Sequence, residues 1–254
     1  MAKNNLSYNI PCQLLIDSDL DPGLKFRIEE SYKSIRTNLM LSIIKSGCKT
    51  IVVSSSNASE GKTTTSINLA ISLSQADQRV LLIDGDLRKP KIHHYFSIPN
   101  APGLTNYLSD AANSKTRSKD LFETVHPTEI ANLSIITSGS IPPNPAEILG
   151  SELMAEFLKE ISNHFDYIIV DTPPINVVSD ALPVIKMSDG IIVVVKSNAS
   201  THPELAKTIE ALNFIQANIL GFVVNFVESK GKRYGKYRYG YGKKYGYGYG
   251  YTAY

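Results

Sequence analysis

Ile51-Val-Val-Ser-Ser-Ser-Asn-Ala-Ser-Glu-Gly-Lys62-Thr63-Thr64 runs from a β-branched apolar stretch, through a loop of small residues, into a segment of helical character. That is the setting a phosphate-binding P-loop needs. Successive backbone N–H groups and a helix N-terminus surround the phosphates, Lys62 adds a cation, and Thr63 adds a hydroxyl for Mg2+. The common spacing places a glycine at position 56, where this chain has Ser56, and Ser59 stands where a glycine would ease the approach of backbone to phosphate. The candidate nucleotide contacts are therefore Ser59, Glu60, Gly61, Lys62, Thr63 and Thr64. Gly-Lys-Thr alone also occurs as an ordinary loop before a helix, so the reading depends on what accompanies it.

Two acidic motifs do. The apolar run Val80-Leu-Leu-Ile ends in Asp84-Gly-Asp86-Leu-Arg88, and Tyr167-Ile-Ile-Val ends in Asp171-Thr-Pro-Pro174. Carboxylates at the carboxyl ends of parallel strands lie on the rim where α/β folds bind ligands. One such Asp could simply cap a turn. Three beside a phosphate loop point to Mg2+, which takes one or two carboxylates, phosphate oxygens and several waters.

From about Lys49 to Val227 short apolar runs alternate with longer amphipathic ones, which predicts a parallel sheet with crossover helices. Strands are expected at Thr50 to Ser54, Val80 to Asp84, Leu133 to Thr137, Tyr167 to Asp171, Ile191 to Val195 and Ile219 to Asn225. Their near-continuous hydrophobicity calls for helices on both faces. The expected fold is α/β, a P-loop NTPase-like, doubly wound, mainly parallel sheet. A helix is expected over Leu24 to Ile44, with Phe26, Ile28, Ile35, Leu39 and Ile43 apolar among charges. A second opens at Thr201, Pro203 and Glu204 and carries Leu205, Ile209, Leu212 and Ile215 on one face.

With 254 residues, 43% hydrophobic and 20% charged, one sizeable folded domain is expected. The segments are an N-terminal stretch 1–23, the domain 24–228 and a tail 229–254. Two cysteines, Cys12 and Cys48, offer neither a disulfide framework nor a thiolate metal site, and fit a reduced cytoplasm. The apolar runs are strand-sized, too short to span a membrane. His93 and His94 lack further ligands at metal spacing and read as loop histidines. Tyr32, Tyr95, Tyr107 and Tyr167 read as packing residues.

The net charge of +2 conceals an asymmetry. From Lys230 onward the chain holds seven Lys or Arg and no Asp or Glu, which leaves 19 basic against 24 acidic residues before it: a body near −5 and a tail of +7. Nine tyrosines fall in that tail, Tyr234, Tyr237, Tyr239, Tyr241, Tyr245, Tyr247, Tyr249, Tyr251 and Tyr254, against five in all the rest. Seven glycines and few aliphatic residues predict a disordered tail that presents hydroxyls with little steric demand. A basic, aromatic, glycine-rich segment could also stack on single-stranded nucleic acid. Beside a nucleotide site the acceptor reading is preferred, and no nucleic-acid partner is expected.

The P-loop together with Ile83-Asp-Gly-Asp-Leu-Arg and Val170-Asp-Thr-Pro-Pro resembles the bacterial tyrosine kinases that govern capsule and exopolysaccharide synthesis. The resemblance extends from about residue 24 to the C-terminus. Ser138-Gly-Ser-Ile-Pro142-Pro143-Asn144-Pro145-Ala-Glu147-Ile-Leu looks like a signature that related partition and septum-site ATPases generally lack. The resemblance implies ATP and Mg2+ as ligands and Asn225 at the adenine. It implies a homo-oligomer, in the family a ring, through a motif read here as Glu30, Lys33 and Arg36. The middle position is Arg in the family, and Lys cannot form its bidentate fork; Glu30 and Lys33 could also be a plain i, i+3 surface pair. It further implies a membrane-embedded chain-length-determinant-like activator protein, a cognate tyrosine phosphatase and a place at the inner face of the plasma membrane.

On this reading Lys62 and Arg88 offset phosphate charge, Thr63 with Asp86 and Asp171 holds Mg2+, and Asp84 receives the acceptor's proton, with Asp84 and Asp86 exchangeable. The motifs of eukaryotic-type protein kinases are absent: there is no His-Arg-Asp and no Asp-Phe-Gly. The rival readings are a partition or septum-positioning ATPase and a non-catalytic nucleotide-binding scaffold.

Overall fold

The computed structural model describes residues 14–16, 20–113 and 121–227. The tail tyrosines and most of the N-terminal stretch lie outside these residues.

Asp21 opens the first helix, α1 (Pro22–Ser42): its carboxylate accepts from the N–H groups of Gly23 and Leu24, and Pro22 occupies the first turn, where no donor is missed. The helix therefore begins two residues before the expected start. It is followed by β1 (Lys49–Ser55), α2 (Lys62–Ser74), β2 (Val80–Asp84), a single turn α3 (Ile92–Tyr95) and α4 (Leu104–Asn113). Then come β3 (His126–Pro127), β4 (Leu133–Ile136), α5 (Pro145–Leu149), α6 (Glu152–Ile161) and β5 (Tyr167–Asp171). The chain continues through α7 (Ala181–Met187), β6 (Gly190–Lys196), α8 (His202–Phe214) and β7 (Ile219–Asn225). The six expected strands are present within a residue or so at each end. His93 and His94 fall on α3 rather than in a loop.

The sheet order is β3-β4-β2-β5-β1-β6-β7, parallel except for β3. Two-residue β3 was not expected. It is an edge strand containing Pro127, whose missing N–H is tolerated only at an edge. One apolar cluster, with Val52, Ile83, Leu104, Phe157, Ile168, Val184 and Leu212, fills the face under α4 and α6 to α8. The other, with Leu39, Ile51, Ile67, Leu73, Leu82 and Ile169, lies under α1 and α2. Each fully buried aliphatic side chain contributes about 1.5–3 kcal/mol relative to exposure.

The amphipathic readings hold in part. Leu212 is buried on α8, with Leu205 and Ile209 half-buried. On α1, Tyr32 and Leu39 are buried but Phe26 is 61% exposed. Tyr107 and Tyr167 are buried and Tyr95 is half-buried.

Register places the functional motifs together. Asp84 pairs in register with Asp171, and Asp171 with Val53 on the other side of β5. The carboxyl ends of β2, β5 and β1 thus bring both acidic motifs and the loop after β1 to one rim.

Candidate functional site

The loop between β1 and α2 is rich in small residues, and several of its polar groups are engaged. Ser54 Oγ donates to the Pro173 carbonyl (2.8 Å), and the Ile175 and Asn176 N–H groups donate to the carbonyls of Ser55 and Ser56. The segment after β5 therefore braces the loop from below. Ser56 keeps an ordinary negative φ, so nothing there requires glycine, and its hydroxyl accepts from Thr208 Oγ1 (2.9 Å). Gly61, at the N-cap of α2, is obligatory. Its φ is 92°, and a Cβ would lie 2.4 Å from Asn225 Nδ2.

Ser59 holds φ at 63°, the left-handed region, on an exposed position. This conformation costs a non-glycine residue about 1 kcal/mol or more. Ser59→Gly is accordingly expected to raise stability by a few tenths to about 1 kcal/mol, the strain relief being partly offset by the entropy of the unfolded glycine. Thermal unfolding without nucleotide measures it, and a lowered midpoint would show that the Ser59 side chain stabilises the loop.

Lys62 Nζ lies 2.9 Å from Asp86 Oδ2 and 3.5 Å from Asp171 Oδ2. Burial opposes its charge, but Asp171 and Asp86 outweigh that and raise the ammonium above its ordinary value. Thr63 Oγ1 donates to Asp171 Oδ2 at 2.7 Å, and Ser66 Oγ lies 3.0 Å from Asp171 Oδ1. Asp171 is 1% exposed; burial raises its carboxyl, while Lys62, Thr63 and Ser66 restrain the rise. Thr64 is half-buried on the next position of α2.

Asp84 is fully buried. Its Oδ2 accepts from the N–H groups of Lys91 (3.0 Å) and Ile92 (2.9 Å), and its Oδ1 accepts from that of Asp86 (3.3 Å). Burial, reinforced by Asp171, pushes its pKa up to about 7. Between the two carboxylates Gly85 leaves no room for a side chain: a Cβ would sit 2.8 Å from the Asp171 carbonyl oxygen.

The structure brings Lys62, Thr63, Asp84, Asp86 and Asp171 into one constellation. Arg88 is turned aside: its guanidinium forms a bidentate pair with buried Asp180, at the start of α7. Asn225 lies over the loop instead of pointing away, its amide donating to the Glu60 carbonyl and Thr65 Oγ1 (both 3.1 Å). Glu60 is buried, accepting from Asn57 N–H (2.9 Å) and from Ser200 Oγ. Glu30 and Lys33 form an exposed ion pair (2.7 Å), whereas Arg36 donates to the Ser72 carbonyl of α2 (2.7 Å).

Several residues at the site escaped the sequence reading. Ser66 could have been found, since it follows Thr63 by three residues on one helix face. Asp180, Ser200 and Thr208 come from distant segments with no motif around them. Phe226 holds φ at 57° beside Gly61, with Lys196 Nζ 4.6 Å from its ring centre.

The donor set suits Mg2+: a hydroxyl from Thr63 and carboxylate oxygens from Asp86 and Asp171 are hard ligands, too few to complete a shell without phosphate oxygens and water. Among the described residues no group of three or more His, Cys, Asp or Glu is arranged to hold a metal by itself. None of the described helices is long and apolar enough to cross a membrane.

Comparison with known proteins points the same way. A family described as AAA domain matches residues 48–221. The putative tyrosine-protein kinase CapB of Staphylococcus aureus is 35% identical over 79% of this chain and 85% of its own. The tyrosine-protein kinase YwqD of Bacillus subtilis (strain 168) is 37% identical over 82% of this chain and 85% of its own. The kinase domain of Escherichia coli tyrosine kinase ETK superposes with a TM-score of 0.76 at 30% identity, covering 92% of this chain and 86% of that one.

Proposed function

The chain belongs to the bacterial tyrosine-protein kinases, and on that premise we propose that it transfers the γ-phosphoryl group of ATP to its own C-terminal tyrosines. The acceptors are the cluster from Tyr234 to Tyr254, presented in trans by a neighbouring subunit. Through this reaction the chain regulates synthesis and export of a capsular or extracellular polysaccharide. The observation that carries the reading is the convergence of Lys62, Asp86, Asp171 and Thr63 within 3.5 Å on the rim formed by β2, β5 and β1.

Lys62 sits where it can leave its carboxylate partners for a phosphate oxygen, a charge-assisted contact of similar kind. Thr63, Asp86 and Asp171 would hold Mg2+, which when bound neutralises phosphate charge. The tyrosine oxygen forms a bond to the γ-phosphorus as the bond to the β-phosphate oxygen breaks and ADP departs. Asp84 takes the tyrosine proton, and a carboxyl titrating near 7 is matched to that task at neutral pH. Arg88 is held in its pair with Asp180, so its part in offsetting charge requires release from that pair. Asn225 contacts the adenine after giving up one of its two loop bonds.

Association into a homo-oligomer through the α1 face carrying Glu30, Lys33 and Arg36, stimulation by a membrane-embedded chain-length-determinant-like protein, and reversal by a tyrosine phosphatase complete the proposal. They place the chain at the inner face of the plasma membrane. Incubation of the full chain with ATP and Mg2+, with and without the activator's cytoplasmic end, tests the activity. A phosphotyrosine signal that requires the tail supports it, and ATP hydrolysis without any such signal would favour the partition-type reading.

The two strand-end carboxylates separate by pH. Asp84 must be ionised to accept a proton, so kcat is expected to rise as pH increases through about 7 and then level off. In Asp84→Asn that limb disappears and kcat falls by about 10²–10⁴-fold. Asp86→Asn should instead raise the Mg2+ requirement and keep the limb. The opposite assignment of the limb would exchange the two roles. The same raised value costs folded-state stability as pH rises from the ordinary carboxylate range towards 7, because the folded state holds the proton more tightly than the unfolded one.

A further inference from the structure

The P-loop is fastened from above as well as from below, by residues with no part in the motifs. Ser200, in the connection between β6 and α8, donates its hydroxyl to Glu60 Oε1, and Ser200 Oγ itself accepts from the Lys196 N–H at 2.8 Å. Glu60 uses its other oxygen to accept the N–H of Asn57 at 2.9 Å, closing a loop within the loop. In the second turn of α8, the fully buried Thr208 places Oγ1 2.9 Å from Ser56 Oγ and 3.2 Å from Asn176 Oδ1. Asn176 in turn donates its amide to the Glu204 carbonyl at 2.9 Å, and its backbone N–H to the Ser56 carbonyl at 3.1 Å.

The apex of the loop, from Ser56 to Glu60, is thus held at both ends, by Ser200 just before α8 and by Thr208 within it. The helix is itself stiff: α8 begins with a capping box between Thr201 and Glu204 and a proline in its first turn. The loop has few other means of holding shape. It lacks the first glycine of the common spacing, and Ser59 occupies a left-handed conformation that an unconstrained serine leaves readily. Phosphate binding requires the N–H groups of this apex to converge before the ligand arrives; a loop that must order on binding loses affinity by the cost of ordering.

We propose that Ser200 and Thr208 are positioning residues for the phosphate loop, holding Glu60 and Ser56 so that the backbone N–H groups of the apex stand ready for the nucleotide's phosphates. The proposal rests on the nucleotide reading of this site. It places Ser200 and Thr208 outside the chemical step. Their loss should weaken ATP binding and leave transfer from the saturated complex almost unchanged, since a loop ordered by bound phosphates presents the same γ-phosphoryl group.

The test uses the full chain with ATP and Mg2+ and the substitutions Ser200→Ala, Thr208→Val and Ser200→Thr. The KM for ATP, the Kd of a fluorescent ATP analogue, kcat for transfer to an added tyrosine peptide, and the nucleotide-free unfolding midpoint are measured for each. Expected are a roughly 5- to 20-fold rise in KM and Kd for Ser200→Ala, whose hydroxyl serves a carboxylate, and a smaller rise for Thr208→Val. In both, kcat should stay within about twofold and Ser200→Thr should restore tight binding. Unchanged KM and Kd in both variants, or a fall in kcat as large as the rise in KM, would overturn the assignment. So would a failure of Ser200→Thr to recover affinity. An unsubstituted chain that bound no ATP would overturn the nucleotide reading itself, and a chain that bound ATP with both variants unaffected would overturn only the positioning role.

Discussion

Lys62→Met is expected to lower kcat/KM for phosphoryl transfer by on the order of 10²–10³-fold, as the loss of a preorganised electrostatic contact at the transferring group does. The structure adds a second consequence. Lys62 is ion-paired with both Asp86 and Asp171, two carboxylates of which one is 1% exposed. Methionine leaves both without that partner in a poorly hydrated site, and removing one member of a buried ion pair costs about 3–5 kcal/mol. Asp171, already raised by burial and freed from the restraint of Lys62, takes up a proton more readily. A carboxyl raised in the folded state contributes less stability as pH rises above its unfolded value, so the variant should be most impaired at alkaline pH. Unfolding midpoints should fall by about 6–20 °C at pH 8 and by less near pH 5. An equal drop at both pH values would show that the carboxylates do not depend on Lys62 for their charge state. Retained transfer with an unchanged KM would remove Lys62 from the mechanism altogether.

Replacing all nine tail tyrosines by phenylalanine should abolish self-phosphorylation while leaving phosphorylation of an added Tyr-Gly peptide intact. The substitution keeps the rings, the glycines and the +7 charge, and removes only hydroxyls. Of the five remaining tyrosines, Tyr32, Tyr107 and Tyr167 are buried and cannot reach a neighbouring subunit's site without unfolding. Persistent labelling of the variant would place the acceptors in the body and contradict the tail's assignment. In the unsubstituted chain the same modification should act as a switch. Each phosphotyrosine adds about −1.5 to −2, so about four cancel the tail's charge and further ones make it acidic. An unmodified tail is attracted to a body near −5, whereas a heavily modified one is repelled, and the effect weakens with salt. Sedimentation at low salt should show association falling as phosphorylation proceeds; association independent of phosphorylation would exclude this electrostatic account.

Much of the site was legible because its chemistry is local in sequence. Glycine and lysine before a helix, and Asp at the ends of two apolar runs, are each complete within a few residues, and strand pairing then needs only to align three strand ends. Ser56 looked like a defect by spacing and proved an attachment point, which depended on Thr208, 152 positions away. Arg88, in the Asp84-Gly-Asp86-Leu-Arg88 segment, was expected to offset phosphate charge. The fold gives it Asp180 instead, and no local pattern announces a bidentate partner 92 positions on. The family motif on α1 shows the same limit: Glu30 and Lys33 pair as helical spacing predicts, but Arg36 turns inward to the Ser72 carbonyl because α2 lies beneath it.

The P-loop, the parallel sheet, the acidic rim and the tyrosine-rich tail were determined by the sequence itself, because backbone preference, apolar periodicity and composition act over short stretches of chain. The tertiary structure alone decided which carboxylate is buried to titrate near neutrality, which cation stands beside the strand-end carboxylates, and what keeps a loop short of glycine in shape. Those properties arise from burial and from contacts between segments far apart in the chain, and neither exists until the sheet has brought its strand ends together.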